Sequence, residues 1–122
     1  MSEPKIRILL VEDEALIRTA LERCLLRHFE VVPACDGEDA LNVFLKMPSE
    51  FNLVITDCRM PRMSGVQLCR ELKNLCKIPV LLCSAGTTLL TDEEKSLFDG
   101  IVSKPVQFPK FFGEVNRLCV RV

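Results

Sequence analysis

The sequence lacks an excess of charge of either sign. Sixteen Lys and Arg residues accompany 17 Asp and Glu residues, so the formal net charge at pH 7 is -1 and the calculated pI is near 5.9. Charges of both signs are interspersed along the chain instead of forming a basic block. Because nucleic-acid-binding surfaces usually require such a block, we expect no direct contact with nucleic acid.

Signals for membrane insertion, secretion and disulfide bonding are also missing. No apolar run approaches the roughly 20 residues that span a bilayer, and residues 1–5 contain no apolar signal region. The seven cysteines are odd in number and never form Cys-x-x-Cys, which disfavours a disulfide framework and a zinc site. We therefore expect a cytoplasmic protein without a membrane segment, with residues 1–122 forming a single domain.

Short apolar runs indicate strands that are buried on both faces. A weaker run over Glu30–Ala34 contains Pro33, which is tolerated mainly on an edge strand. Helical patterns separate the runs, and the alternation predicts an α/β fold with a doubly wound, five-stranded parallel sheet. The clearest runs are Ile8–Val11, Leu53–Ile55, Val80–Cys83 and Ile101–Ser103.

Apolar residues at helical spacing predict the buried faces of the helices. In the first helix, Leu16-Ile17, Ala20-Leu21 and Cys24-Leu25 recur at helical spacing and are predicted to form one apolar stripe. Thr91 is followed three residues later by Glu94, which predicts a capped helix start. The segment between the fourth and fifth strands looks short, so we expect a short or displaced fourth helix.

Chemically active side chains follow four of the predicted strands. Glu12 and Asp13 follow the first strand, Asp57 the third, Ser84 ends the fourth and Lys104 follows the fifth. Ligands of open parallel sheets bind beyond these strand ends, so the side chains should meet there. Three adjacent carboxylates need a shared proton or a cation, and Mg²⁺ accepts carboxylate and phosphate oxygens. This pattern predicts a magnesium site where Asp57 attacks a phosphoryl group, while Ser84 and Lys104 contact its oxygens.

The order of these residues resembles the receiver domain of two-component response regulators, of the chemotaxis type with a single domain. Besides the acidic pair, the resemblance rests on Asp57 with the following Met60-Pro61, on Ser84-Ala85 and on Lys104-Pro105. It extends from about Ile6 to Leu118. It implies a flavodoxin-like three-layer sandwich with strand order 2-1-3-4-5 and a cis peptide bond before Pro105.

The resemblance also implies a role for each site residue. Asp57 would accept phosphate from a histidine kinase or phosphotransfer protein, Ser84 would be the switch hydroxyl, and Lys104 would pair with the phosphorylated site. Phosphorylation would then switch affinity for a downstream protein target, which is a regulatory rather than an enzymatic function. The implied magnesium ligands are the carboxylates of Glu12, Asp13 and Asp57 and the backbone carbonyl of Arg59.

Three positions depart from the usual receiver pattern or modify it. Receivers usually carry an aromatic residue three positions before the lysine, whereas this chain has Ile101. The readout that depends on movement of an aromatic ring is therefore disfavoured. Arg59 lies two residues after the acceptor, and we predict that its side chain tunes the lifetime of the phosphorylated state. Gly86 is expected to weaken local order in residues 85–88.

Other functions are compatible with parts of the pattern. The chain could act as an unphosphorylated docking module, or less readily as an aspartate-dependent phosphatase, which usually has an acid where this chain has Arg59. Cys58 and Cys83 adjoin the predicted site and raise the alternative of redox sensing, although such cysteines usually only pack. No output domain follows Val122 in this sequence, so output would pass through another protein, or the sequence is part of a longer chain.

Overall fold

The computed structural model describes residues 6–85 and 89–119, so the expectation about Gly86 lies outside the described residues. Within these ranges five strands alternate with five helices, as predicted. None of the helices in the described ranges combines the length and apolar character needed to cross a lipid bilayer. The elements are β1 (Arg7–Val11), α1 (Ala15–Leu25), β2 (Glu30–Ala34), α2 (Gly37–Lys46), β3 (Leu53–Thr56), α3 (Gly65–Leu75), β4 (Val80–Ser84), α4 (Asp92–Ser96), β5 (Gly100–Ser103) and α5 (Phe108–Cys119).

The strands form one parallel sheet in the order β2-β1-β3-β4-β5, which confirms the predicted topology. Pro33 lies on the edge strand β2, where its missing N–H removes no ladder bond to a second neighbour. Val11 of β1 is in register with Thr56 of β3, so the residues that follow these two strands emerge side by side. This register positions Glu12 next to Asp57.

Helices cover both faces of the sheet and complete the predicted three-layer sandwich. Alternate side chains of a strand point to opposite faces. Accordingly Leu9 and Val11 of β1 pack in the core beneath α2 and α3, whereas Ile8 and Leu10 pack beneath α1 and α5. All residues of β3 and β4 are buried. The central strands are therefore rigidly held, and their carboxyl ends provide a fixed base for a site.

The predicted apolar stripe of α1 was wrong at Leu16, whose exposed fraction is 87%, and at Ala20, which is also exposed. The buried face of the helix is formed by Leu21 and Leu25, which are four residues apart. Leu16 precedes Leu21 by five residues, which places it about 140° away around the helix axis. Helix α1 thus carries more apolar side chains than its buried face can accommodate, and some of them are exposed to solvent.

Helix α4 contains only the five residues Asp92–Ser96, in agreement with the predicted short helix. Thr91 and Glu94 form the predicted capping box, in which each side chain accepts a hydrogen bond from the other residue's backbone N–H. No residue of α4 is buried, and Glu93 pairs with Arg70 of α3 at 2.8 Å. This helix is consequently attached to the sandwich through surface contacts.

Gly65 begins α3 where this helix passes the carboxyl end of β3. An ideal Cβ at this position would lie 2.0 Å from the backbone oxygen of Asp57. We expect Gly65→Ala to lower the free energy of unfolding by about 2 kcal/mol, because α3 must move away from the strand end. Urea unfolding followed by circular dichroism measures this change.

Gly113 offers the matched control, since a Cβ there would meet no atom within 4 Å. It lies inside α5, where Gly is a poor helix former, so Gly113→Ala should raise the free energy of unfolding by about 0.5–1 kcal/mol. Equal stability of Gly65→Ala and the wild type would show that α3 does not constrain this strand end.

Candidate functional site

Three carboxylates meet at the carboxyl ends of β1 and β3. Glu12, Asp13 and Asp57 each offer an oxygen, and these oxygens all lie within 4.8 Å of one another. Glu12 is 2% exposed, Asp57 is half-buried and Asp13 is exposed. The structure therefore brings together the three acids that sequence reasoning selected, with one oxygen-rich side open to solvent.

Lys104 bridges two of these acids. Its Nζ atom donates to Glu12 Oε1 at 2.6 Å and to Asp57 Oδ2 at 2.9 Å. The side chain of Lys104 is only 13% exposed, and the Lys104–Pro105 peptide bond is cis, as the resemblance implied. The ammonium group thus lies inside the acidic cluster and holds the ends of β1, β3 and β5 together.

Burial and hydrogen bonding both shift the pKa values of charged groups in the cluster. Burial alone would lower the pKa of Lys104, but hydrogen bonds to Glu12 and Asp57 outweigh it and raise this pKa from 10.5 to about 12. Burial raises the pKa of Glu12, and its hydrogen bond from Lys104 offsets only part of that effect. When the carboxylates are ionised, one ammonium leaves two negative charges uncompensated, which a divalent cation can neutralise.

Neighbouring donors fix the orientation of the two carboxylates. The backbone N–H of Cys58 donates to Asp57 Oδ1 at 2.6 Å, and that of Glu14 donates to Glu12 Oε2 at 3.1 Å. Arg18 of α1 donates from Nη1 to the backbone oxygen of Glu12 at 2.8 Å. These hydrogen bonds were not predicted from the sequence. An acid that follows a strand end does, however, lie close to the backbone N–H groups of the next residues.

A cleft of about 460 Å³ opens beside the cluster. Asp13, Asp57, Ser84 and Lys104 line it, and the exposed Arg59 side chain lines its rim. Ile101 lies elsewhere: it pairs with Leu82 and packs on the side of the sheet that faces α2 and α3. Ile101 is thus away from the cleft, whereas Glu12 does not line the cleft but belongs to the adjoining carboxylate cluster.

The ion pair between Asp36 and Arg62 was also missed by sequence reasoning. Asp36 caps α2, which its position before Gly37-Glu38-Asp39 could have indicated. Arg62 Nε donates to Asp36 Oδ2 at 2.8 Å across 26 residues of sequence, and no local pattern indicates that contact. The pair joins the start of α2 to the β3–α3 loop, residues 58–64.

The two cysteines next to the site are buried, as expected for residues that only pack. Burial raises the pKa of Cys58 and raises that of Cys83 to about 11. Because the thiolate is the reactive form, both groups are poor nucleophiles at neutral pH. These environments disfavour the redox alternative.

Comparison with known proteins relates the whole arrangement to one family. The sequence profile of the response regulator receiver domain matches residues 8–116. A probable transcriptional regulator ycf27 of Cyanophora paradoxa is 43% identical over 83 residues, which are 66% of this chain and 34% of that protein. The uncharacterized transcriptional regulatory protein YrkP of Bacillus subtilis is 36% identical over 95 residues, or 77% and 40% of the two chains. The chain spans about a third of the length of the curated relatives it matches.

Solved structures show the same likeness over nearly the full chain. The response regulator TrrA of Thermotoga maritima, in complex with Mg(2+)-BeF, has a TM-score of 0.85 and 31% identity, with 93% of this chain and 98% of that chain covered. The receiver domain of the hybrid histidine kinase CckA has a TM-score of 0.78 and 29% identity, with coverage of 93% and 99%. With its fold, its acidic cluster and its profile match all in agreement, this chain belongs to the response regulator receiver domain family.

Proposed function

We propose that Asp57 accepts a phosphoryl group from a histidine kinase or phosphotransfer protein, and that this modification switches affinity for a downstream protein target. The observation that carries the proposal is the buried Lys104 ammonium, which contacts both Asp57 and Glu12 inside the carboxylate cluster. We further propose that residues 1–122 act as one receiver domain. The relatives' names as transcriptional regulators support a regulatory rather than an enzymatic role.

We assign Mg²⁺ to the carboxylates of Glu12, Asp13 and Asp57 and to the backbone carbonyl of Arg59. Hard oxygen donors and two uncompensated negative charges fit this ion. When bound, it would neutralise phosphoryl oxygens and orient them for transfer. The complex of the similar TrrA with Mg(2+)-BeF supports the assignment.

Transfer requires one bond to form and one to break at phosphorus. An oxygen of the Asp57 carboxylate bonds to phosphorus as the bond to the donor's imidazole nitrogen breaks, and that nitrogen keeps the electron pair. Before transfer, Asp57 Oδ1 accepts from the Cys58 N–H and Oδ2 accepts from Lys104. After transfer, Lys104 and the hydroxyl of Ser84 would contact the added phosphoryl oxygens. Lys104 therefore exchanges one anionic partner for another.

We place the output surface on α4, β5 and α5. A coupling of about 1–3 kcal/mol between phosphorylated Asp57 and this surface would change partner affinity by roughly 5- to 150-fold. Helix α4 has no buried residue and is joined to α3 by the exposed Arg70–Glu93 pair, so its displacement disturbs little of the core. Ile101 has no ring to move, which makes α4 the better candidate for the moving element.

Phosphorylation is tested by incubating the protein with acetyl phosphate and Mg²⁺ and then mapping the modification by mass spectrometry. We expect one phosphoryl group on the peptide that contains Asp57, and none when EDTA removes the metal. An unmodified wild-type protein would contradict the phosphorylation switch and leave the docking module as the better function. Steady release of phosphate from unrelated phosphate esters would instead favour the phosphatase.

Arg59 is predicted to prolong the phosphorylated state. Its side chain lines the rim of the cleft next to Asp57, where it can shield the phosphoryl group from water. We expect Arg59→Ala to increase the dephosphorylation rate by about threefold, the effect of a modest loss of shielding worth less than 1 kcal/mol. Arg59→Lys, which retains length and charge, serves as the control, and equal rates for Arg59→Ala and wild type would remove this role.

A further inference from the structure

We propose that Arg62 and Asp36 form a clamp that positions the β3–α3 loop for metal binding. The inference rests on the proposed function, because the loop carries the Arg59 carbonyl that we assign to Mg²⁺. Neither clamp residue is assigned contact with the metal or with phosphate. Both are therefore positioning residues that act through the backbone of the loop.

The loop contains a strained turn centred on Arg62. Arg62 has a φ of 67°, and the Met63 N–H donates to the Pro61 oxygen at 2.7 Å, which closes a γ-turn. A positive φ in a turn of this kind is unfavourable for a residue with a side chain, and Gly would adopt it more easily. Such a conformation persists only where the surrounding structure holds it.

The start of α2 supplies the groups that hold the turn. Arg62 donates from Nε to Asp36 Oδ2 at 2.8 Å, and its Nη2 contacts the same oxygen. Asp36 is 3% exposed, and its Oδ1 accepts from the Asp39 N–H at 2.8 Å. The Gly37 N–H donates to the Met63 oxygen at 3.2 Å, and a Cβ on Gly37 would lie 2.5 Å from that oxygen. Helix α2 and the loop therefore meet in close backbone contact.

The electrostatics of the pair are asymmetric. Burial raises the pKa of Asp36, but hydrogen bonds from the Asp39 N–H and from Arg62 outweigh it, so the net pKa is below its usual value. The ionised carboxylate is thus a fixed anchor in the body of the protein. Arg62 is the more exposed partner, since 55% of its side chain is accessible to solvent.

The position of the loop matters because its other end is attached to the acceptor. The Cys58 N–H contacts Asp57 Oδ1, and the Gly65 N–H donates to the Cys58 oxygen at 2.8 Å. Arg59 lies between this closed end and the Arg62 turn, so the clamp limits where its carbonyl can lie. Mg²⁺ demands nearly ideal octahedral geometry, and a displaced carbonyl would weaken binding.

The test compares Mg²⁺ affinity among variants at position 62. Calorimetric titration is suitable because the chain has no Trp and no Tyr to serve as a fluorescent probe. We expect Arg62→Gln and Arg62→Gly to weaken Mg²⁺ binding by about fivefold, which is typical of a residue that couples to a site indirectly. Arg62→Lys, which keeps the charge, should be intermediate. Arg117→Gln removes a guanidinium that is 54% exposed and paired with Glu114, and it should bind like wild type.

Arg62→Gly distinguishes the effect of the ion pair with Asp36 from the effect of the turn conformation. Arg62→Gly tolerates the positive φ but cannot bind Asp36, so wild-type affinity in this variant would overturn the proposal. Equal affinity of Arg62→Gln and wild type would also overturn it. Thermal unfolding by circular dichroism confirms that each variant is folded, and Arg62→Gln and Arg62→Gly should lose some stability because the buried Asp36 carboxylate is left without its cation.

A second measurement distinguishes positioning from a general structural effect. In the acetyl phosphate reaction, the Mg²⁺ concentration for half-maximal rate should rise about fivefold in Arg62→Gln, whereas the rate at saturating Mg²⁺ should remain that of wild type. A reduced saturating rate with an unchanged half-maximal concentration would refute the clamp. Failure of the wild type to bind Mg²⁺ or to be modified would refute the proposed function itself. A defect confined to the variants at position 62 would leave the proposed function intact.

Discussion

Replacing Asp57 with Asn is expected to abolish phosphorylation by acetyl phosphate and Mg²⁺. Because Cys58 and Lys104 donate to different oxygens of Asp57, the amide, which has nearly the same shape as the carboxylate, keeps an oxygen acceptor for only one of them. It lacks the anionic oxygen that attacks phosphorus and removes one charge from the metal cluster. Loss of a nucleophile typically lowers the rate by at least about a thousandfold, so the modification should fall below detection.

Mass spectrometry with peptide mapping measures this loss, and Asp92→Asn is the matched control. Asp92 is an exposed acid in the first turn of α4, outside the carboxylate cluster, and its variant should be modified like wild type. Phosphate that persists on Asp57→Asn would have to occupy another residue. That result would contradict the assignment of Asp57 as the acceptor.

Replacing Lys104 with Met is expected to lower the free energy of unfolding of the metal-free protein by about 3 kcal/mol. Methionine fills a similar volume but leaves the nearly fully buried Glu12 carboxylate without its cation. Breaking a buried ion pair from one side is costly because the remaining charge has lost its water and gains no partner. Urea unfolding in EDTA measures the change.

Three comparisons identify the cause of this destabilisation. Lys110→Met removes an exposed lysine of α5 and should leave stability almost unchanged. The double variant Glu12→Gln with Lys104→Met removes the stranded charge and should recover part of the loss. Added Mg²⁺ should stabilise Lys104→Met through the same carboxylates. A single variant as stable as Lys110→Met would show that the bridge contributes little to folding.

The ion pair also predicts a dependence of stability on alkaline pH. The pKa of Lys104 is raised from 10.5 to about 12 in the folded state, so its stabilisation is fully present below about pH 10.5. It should be lost as the pH rises through about 12, and a shift of this size corresponds to about 2 kcal/mol. In EDTA, wild type should lose this part of its free energy of unfolding as the pH rises. Lys104→Met has no ammonium group and should not show that loss.

Local sequence patterns were sufficient for the order of elements and for the location of the site. Apolar runs of three or four residues specify strands buried on both faces, and Pro33 indicates which strand lies at the edge. The capping box at Thr91 similarly marks the start of α4. These patterns are readable because each depends on residues close together in the chain.

The convergence of the acids was also predictable from sequence. Parallel strands end at the same edge of a sheet, so Glu12, Asp13 and Asp57 had to meet once the strands were recognised. By contrast, nothing local predicted the exposure of Leu16, because helical periodicity does not define how much of a helix its neighbours cover. The exposed residues of the α1 stripe show the difference between an apolar pattern and actual burial.

The sequence alone determined the fold class, the strand ends and the chemical types of the site residues, because periodicity and propensity act over short stretches of chain. Only the tertiary structure decided that Lys104 bridges Glu12 across 92 residues and that Arg62 reaches Asp36 across 26. Such contacts depend on helix and strand positions to within an ångström, since hydrogen bonds weaken rapidly with distance and angle. That precision arises when all layers pack together.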